Sequence, residues 1–481
     1  MPLRLIVPLV LIMQAAAPPG APSSAPPVGA PPTAPTKIPP PAPASNPPPS
    51  QPPNPPPGSP TAPPPAAPPP TAPPPTAPPS TAPPSTAPPP TAPPPASAPP
   101  ATAPTPGVGA PSASMGAPAI SGRPPIGPLR RLDPKLYDVS FDVTILTDLP
   151  PTDASARAVI DVTDAPFVLP VILRGPYSKV DPTSFTGRIW RDGNEVRGAA
   201  QNLRVDHERP FGMSFVVLPV ARFVGQVLKF EINYRTQVWS SAIDDAAAGR
   251  IAWPQAWPDE CRDSLAPQTF IESNDPRFRQ LVDQVSGGQL RKAPVYYAAK
   301  DLIRATIGRL RVTTSGVARG EGGVLRGMEV RGAAAAMTAG TGTAHDLVCA
   351  CVAVLRAAGI PARPVVGVDR DKVERNSSGF VSWAEFYLPD AGWVPFDPYQ
   401  MRGTDLARRN VRTAWAWLGN IDNLNSRIPL AYTFVPPASL ISHGYPAVYG
   451  WDPRPNGAPS SARQYISIDT TSRGNGRDDP S

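Results

Sequence analysis

Two hydrophobic patterns follow one another along the chain. Between residues 135 and 240, apolar positions recur at every second residue, which is typical of half-buried strands. The clearest run is Tyr137, Val139, Phe141, Val143 and Ile145. Asp192-Gly193, between two short apolar runs, is typical of a hairpin turn. No helical period interrupts this region, so residues 129–245 are predicted to form an antiparallel β-sandwich.

Helical periodicity begins after residue 270. Asp275 followed by Pro276 is typical of a helix start, and apolar residues then recur on one face up to Gly287. A second helix is predicted from Pro294, and a short one over Ala333–Thr338. Residues 246–453 are therefore predicted to form a second domain. The polar residues 454–481, which contain Gly, Pro and Asp, are predicted to be a flexible tail.

Composition sets residues 18–128 apart from the rest of the chain. They hold 49 of the 78 prolines, no aromatic residue, and only Lys37 and Arg123 as charges. Such a segment has too little to bury to offset the entropy of ordering. Its repeated Thr-Ala-Pro-Pro-Pro units favour a solvated polyproline II spacer, so a disordered Pro-rich linker is predicted.

The first 17 residues have the pattern of a secretory signal peptide. Arg4 precedes an apolar run, Leu5–Met13, and small residues follow at Ala15–Ala17. The apolar run is too short to span a membrane, and no later stretch is long and apolar enough to do so. A secreted, periplasmic or other cell-envelope location is predicted.

Charge and cysteine content narrow the function further. The formal net charge is +7, but no dense Lys/Arg run with interleaved aromatic residues is present, so a nucleic-acid partner is not predicted. Cys261, Cys349 and Cys351 are an odd number for an exported protein and are interpreted as buried apolar residues. The three histidines show no metal-site spacing with them, and no metal or other cofactor is predicted.

Two segments carry motifs. Residues 342–368 contain Leu-Arg-x-x-Gly-Ile-Pro-x-Arg, and residues 381–399 contain Trp-x-Glu followed by Gly-Trp-x-x-x-Asp-Pro. In this spacing the sequence resembles the catalytic core of the transglutaminase-like superfamily, a papain-like α+β fold that is often preceded by an all-β module. The resemblance covers roughly residues 270–400, and it implies that the domain predicted over residues 246–453 is a transglutaminase-like α+β domain.

The resemblance also assigns positions for a catalytic triad. The family nucleophile, a Cys at a helix start, falls on Ala344, and the family His falls on Val381. Only Asp397 keeps the family residue type. Loss of both nucleophile and base removes on the order of a millionfold of rate. Asp346, Trp383 and Trp393 are the candidate binding residues, because they match an acidic position and two aromatic positions of the family pattern. Trp383 and Trp393 are also interpreted as core aromatic residues, although a groove lined by aromatic residues would bind a peptide.

One rearrangement would keep a thiol site. His345 and Cys349 are four residues apart and would share one face of the helix. That pair would lie within the helix and not at its amide-rich start, so Cys349 is interpreted more simply as a core residue. Cys351 is likewise interpreted as a core residue.

Two functions of different class follow from these patterns. The first is a non-catalytic binding or scaffolding module for a peptide or an envelope polymer. The alternative is a working thiol-dependent amidase, peptidase or acyl transferase that uses unconventional residues.

Overall fold

The fold is mixed α/β and rich in strands. The computed structural model describes residues 124–147, 160–163, 166–198, 203–206, 210–320, 323–371, 379–434, 450–451, 454–455 and 462–476. The predicted signal peptide, nearly all of the predicted linker and parts of the predicted tail lie outside these residues. All described residues belong to one compact unit. The predicted boundary at residues 245–246 stays a prediction.

The strands fall into an N-terminal set, a central set and a C-terminal set. The N-terminal set is β1 (Leu129–Thr147), β2 (Ile160–Thr163), β3 (Phe167–Val171), β4 (Arg174–Gly175), β5 (Ser178–Arg191), β6 (Asn194–Glu195), β7 (Arg204–Asp206), β8 (Ser214–Leu218), β9 (Arg222–Gly225) and β10 (Val227–Ile243). The central set is β11 (Arg311–Thr314), β12 (Val317–Arg319), β13 (Leu325–Met328), β14 (Thr341–Thr343), β15 (Ala362–Asp369), β16 (Phe380–Leu388), β17 (Gly392–Phe396) and β18 (Arg427–Ala431). The C-terminal set is β19 (Gly450–Trp451), β20 (Arg454–Pro455) and β21 (Ala462–Asn475).

The alternating pattern of β1 is confirmed, because all five of its predicted apolar positions are buried. β1 pairs antiparallel with β10 over nearly its whole length, with Phe141 opposite Ile232. The predicted turn at Asp192-Gly193 is also confirmed, and both residues have a positive φ, which suits the twist of a hairpin.

The strands of the N-terminal set form three antiparallel sheets, and each sheet also contains one strand of the C-terminal set. Six strands form the largest, in the order β21-β1-β10-β5-β4 with β6 paired to β5. The others have the orders β19-β3-β8-β7 and β20-β2-β9. Phe167 of the second sheet stacks on Phe230 of the first, with ring centroids 4.4 Å apart. The sandwich arrangement itself stays a prediction.

The predicted flexible tail differs from the structure over residues 462–476. Most of these residues form β21, which pairs antiparallel with β1. Ile466 and Ile468 are buried, and their backbone groups complete the second side of β1. Residues 462–476 are ordered because β21 completes the sheet beside β1. The composition of these residues alone does not indicate this pairing.

The central sheet has the order β17-β16-β15-β18. In chain order, the described helices are α1 (Asp245–Ala248), α2 (Pro276–Ser286), α3 (Val295–Arg309), α4 (Ala333–Ala339), α5 (Ala344–Ala357) and α6 (Pro398–Met401). The starts predicted for α2 and α3 are confirmed, with Asp275 and Pro294 as their capping residues. None of the described helices is both long and apolar enough to span a membrane.

Helix α5 is the centre of this half. All its residues except Ala357 are buried, including the polar residues His345, Asp346 and Arg356. It packs against α2, α3 and α4, and against β15 and β16 of the central sheet. The resemblance assigns the nucleophile position to the start of this helix.

Candidate functional site

Ala344 is the first residue of α5 and is 8% exposed. The residue before it, Thr343, is the N-cap, and its hydroxyl accepts a hydrogen bond from the Asp346 amide. The Asp346 carboxylate accepts one in return from the Thr343 amide at 2.9 Å. The Thr343 hydroxyl and the Asp346 carboxylate therefore form a reciprocal capping box. The side chain of Ala344 is a methyl group at the position where the resemblance places a thiol.

Asp346, predicted as a binding residue, is fully buried. Besides the Thr343 amide, its carboxylate accepts hydrogen bonds from the amides of Arg331 at 2.7 Å and Gly332 at 3.1 Å. The Arg331 guanidinium lies 3.6 Å from the same carboxylate. Asp346 therefore fixes the approach to α4 against the start of α5, which is a structural role.

The residues around β12 and β13 cover the start of α5. The Thr343 hydroxyl donates to the carbonyl of Glu329 at 2.9 Å. Gly316 has a φ of 80°, and a Cβ placed on it would lie 2.6 Å from Cδ2 of His345. This close approach requires glycine, and it keeps the helix start inside the protein.

Replacing Thr343 by alanine is expected to lower the free energy of unfolding by about 1–2 kcal/mol, because the cap is lost. Thr343→Ser keeps the hydroxyl and is expected to stay within about 0.5 kcal/mol of the parent protein. Urea denaturation of both variants measures the difference. An equal loss in the two would show that the methyl group stabilises this position, and not the cap.

The start of α5 meets the start of β16 through a polar contact. His345 Nδ1 lies 2.7 Å from the Ser382 hydroxyl, and both side chains are buried. Val381, the predicted base position, is the preceding residue and pairs with Gly367 of β15. Because side chains alternate along a strand, Val381 points to the face opposite Ser382. Ser382, and not Val381, therefore faces the helix start.

Asp397 lies directly after β17 and caps α6. Its Oδ1 accepts a hydrogen bond from the Gln400 amide at 3.0 Å. Its Oδ2 accepts one from Arg427 Nη1 at 2.8 Å. Both side chains of this ion pair are at most 4% exposed. The resemblance gives this carboxylate a histidine to orient, but here its partner is a buried guanidinium.

Trp383 and Trp393, predicted as binding residues, are each only 2% exposed. Trp383 packs so closely over Gly367 that a Cβ there would lie 2.9 Å from its indole ring. The Trp393 ring centroid lies 3.9 Å from the guanidinium carbon of Arg363. Both indoles therefore belong to the core and do not line an open groove.

The two arginines of the Leu-Arg-x-x-Gly-Ile-Pro-x-Arg motif are also structural. Arg356 donates to the carbonyls of Ala362 and Ala266, and burial lowers its pKa to about 9. Arg363 forms a buried ion pair with Glu385, with 2.7 Å between Nη2 and Oε2. Burial raises the pKa of Glu385, and Arg363 opposes that shift. The motif thus holds the end of α5 and the central sheet together.

A cavity next to Trp383 and Arg427 has a volume of about 10 Å³. That is close to the minimum for a single water molecule. Glu385 and Tyr432 also line it. A cavity of this size does not accommodate a peptide or a polymer segment.

The cysteines are buried and carry raised pKa values. Burial, with smaller contributions from Asp346 and Glu272, raises the pKa of Cys349 well above its ordinary value. Burial also raises the pKa of Cys351, and that of Cys261 to about 12. In the part of the chain that the structure describes, no group of three His, Cys, Asp or Glu side chains is placed to hold a metal ion.

Sequence reasoning missed two polar pairs at this site. The Ser382–His345 contact joins residues 37 apart, and the Arg427–Asp397 contact joins residues 30 apart. A buried Asp is almost always paired with a cation. That rule predicts a cation near Asp397, but it does not identify which residue supplies it. Ser382 gives a weaker signal, since it is a polar residue between the apolar residues Val381 and Trp383.

Comparison with known protein families gave one match. Residues 289–398 match the model of the transglutaminase-like superfamily core. No curated protein matches the sequence. Among solved structures, a candidate cysteine protease from Cytophaga hutchinsonii is 13% identical, with a TM-score of 0.44, over 72% of this chain and 93% of that one. The periplasmic domain of TgpA from Pseudomonas aeruginosa is 16% identical, with a TM-score of 0.25, over 55% and 90%.

Proposed function

Because this chain contains a transglutaminase-like domain over residues 289–398, we propose that it is an exported, catalytically inactive member of that superfamily. In this proposal the protein binds a peptide or a polymer of the cell envelope and acts as a scaffold, held by its Pro-rich linker. Residues 1–17 support export, because they have the pattern of a secretory signal. Cell fractionation tests that part: recovery in the cytoplasm with residues 1–17 still attached would contradict it.

One observation carries the inactive assignment. The carboxylate of Asp397 is bound on one oxygen by Arg427 and on the other by the Gln400 amide. The positions that the resemblance gives to the nucleophile and the base are Ala344 and Val381, neither of which can form a bond to a substrate or move a proton. An aspartate whose partner is a guanidinium has no imidazole to orient.

The thiol alternative is disfavoured by the environment of Cys349. A nucleophilic cysteine needs a lowered pKa and access to solvent. Cys349 is fully buried, and burial and the nearby carboxylates raise its pKa. It also lies in the second turn of α5, away from the free amides of the helix start.

A second candidate function rests on the Ser382–His345 contact. A serine hydroxyl 2.7 Å from an imidazole nitrogen has the spacing of a nucleophile and its general base. Both residues are buried, and a substrate would need the residues around β12 and β13 to move. This candidate is a hydrolase that acts through a hydroxyl group and not through a thiol.

The exported protein is expected to be inert towards both kinds of active-site probe. We expect no labelling by iodoacetamide at Cys349 or by a fluorophosphonate at Ser382, and no turnover of amide or ester substrates. Cys349→Ala and Ser382→Ala serve as matched controls. Labelling at Cys349 with turnover lost in Cys349→Ala would overturn the inactive assignment in favour of the thiol enzyme. The same result at Ser382 would favour the hydroxyl enzyme.

A further inference from the structure

The outer face of the six-stranded sheet carries a depression of about 330 Å³. Residues from four adjacent strands line it. They are Asp138, Ser140, Ser184, Asn233, Arg235, Asp469 and Thr471, with Val139 and Tyr234. This volume lies at the lower end of the range for small-molecule sites. It is more than thirty times that of the cavity beside Trp383.

The depression has two structural causes. Its central row consists of short side chains, because Ser140 of β1 pairs with Asn233 of β10 and with Asp469 of β21. The register between β5 and β10 also shifts next to this row, between Asn233 and Arg235. Asn233 is opposite Thr186, whereas Arg235 is opposite Asp181, so residues 182–185 bulge from the ladder.

The charged side chains around Arg235, beside the depression, largely neutralise one another. Arg235 lies 3.4 Å from Asp138 and 3.8 Å from Asp181. Arg473 also pairs with Asp138. Arg235 and Arg473 are therefore already engaged, and Arg235 is the only cation among the described residues that line the depression.

The central row, by contrast, offers polar groups that are not engaged. Among the described residues, Ser140, Asp469 and Thr471 have no hydrogen-bond partner for their side chains. Asn233 donates one amide hydrogen to Glu231 at 3.0 Å, which leaves its carbonyl oxygen as an acceptor. Hydroxyl, amide and carboxylate groups in one row match a ligand that is rich in hydroxyl groups.

We propose that this depression binds a neutral oligosaccharide segment of a glycan. The inference rests on the proposed binding function and gives it a place and a ligand class. A sugar ring presents several hydroxyl groups that both donate and accept, as this row requires. The carboxylate of Asp469 disfavours a polyanion, and the row has no apolar side chain to anchor a lipid or a hydrophobic peptide. The proposed polymer site is thus on the six-stranded sheet and not at the triad positions Ala344, Val381 and Asp397.

The test is a titration of the exported protein with soluble hexamers of glucose and of N-acetylglucosamine, with polygalacturonate as the charged comparison. Micromolar to millimolar binding of at least one neutral hexamer is expected. Ser140→Ala/Asp469→Ala is expected to raise its dissociation constant about tenfold or more, because two hydrogen-bonding groups are lost. The control Thr144→Ala/Ser467→Ala changes exposed or half-buried positions on the same two strands outside the depression, and a change below about twofold is expected.

Three outcomes would overturn the proposal. They are binding of neither neutral hexamer, tighter binding of polygalacturonate, and equal weakening in the two double variants. The wider proposal is tested separately by cosedimentation with cell-envelope material. Retention there that is unchanged in Ser140→Ala/Asp469→Ala would leave the binding function standing and place its site elsewhere. No retention at all would contradict the binding function itself.

Discussion

Replacing Arg363 with alanine is expected to lower the free energy of unfolding by about 3–5 kcal/mol, which is a large part of a domain's stability. The Glu385 carboxylate, 4% exposed, would lose its partner 2.7 Å away. The core would also lose a guanidinium whose central carbon lies 3.9 Å from the ring centroid of Trp393 and 3.6 Å from that of Tyr432. Urea denaturation near neutral pH measures the loss.

The loss is expected to shrink as the pH falls. Burial is the largest influence on Glu385 and raises its pKa, while Arg363 lowers it. Without Arg363 the pKa of Glu385 in the folded state rises further above that of the unfolded chain. Between these two values the folded state binds more protons than the unfolded state. Stability is therefore gained as the pH falls through this window and lost as it rises.

Two controls separate the buried pair from charge removal in general. Arg408→Ala breaks an ion pair whose side chains are 88% and 62% exposed, so a change below about 1 kcal/mol is expected. Arg363→Met/Glu385→Leu removes both buried charges and is expected to recover most of the lost stability. A small loss in Arg363→Ala that does not vary with pH would contradict a buried, coupled pair.

The second large effect is expected at Arg427. Arg427→Met should cost about 3–5 kcal/mol, because the buried carboxylate of Asp397 keeps only the Gln400 amide as a partner. Adding Asp397→Asn to Arg427→Met neutralises that carboxylate and is expected to restore at least about 1 kcal/mol. Chemical denaturation of the parent, the two single variants and the double variant gives the coupling energy. Strictly additive losses would show that the two side chains do not depend on each other.

This pair also bears on the inactive assignment. If Arg427 holds the carboxylate to which the resemblance gives an imidazole partner, Asp397 stabilises the fold and does not take part in chemistry. The expected signature is a large loss of stability in both single variants, without any change in reactivity towards the probes. A gain of hydrolysis in Arg427→Met would contradict this account.

Local signals predicted much of the fold correctly. The alternation in β1 and the caps of α2 and α3 depend on residues close in sequence, and all three are confirmed. The transglutaminase-like region also agrees with the family match over residues 289–398. These features share one physical cause, since side-chain period and capping chemistry act within a few residues.

Features that depend on distant partners were not predictable in the same way. The order of β21 depends on β1, and its composition alone resembles that of a frayed terminus. The roles of Asp346 and Trp393 depend on what packs around them, so their residue types suggested binding although both are buried. The cation opposite Asp397 comes from a strand that no local pattern connects to it.

The position of β21 has a consequence for how the chain is made. β1 lies between β10 and β21, and the ion pair between Asp138 and Arg473 joins residues 335 apart. One side of β1 therefore stays unpaired while the whole transglutaminase-like region is synthesised, and unpaired edges invite association with other chains. The sheet can close only after β21 has been synthesised. A chain that stops before residue 462 exposes this edge permanently and also lacks Ile466 and Ile468, so truncation there promotes aggregation even when the rest of the core is present.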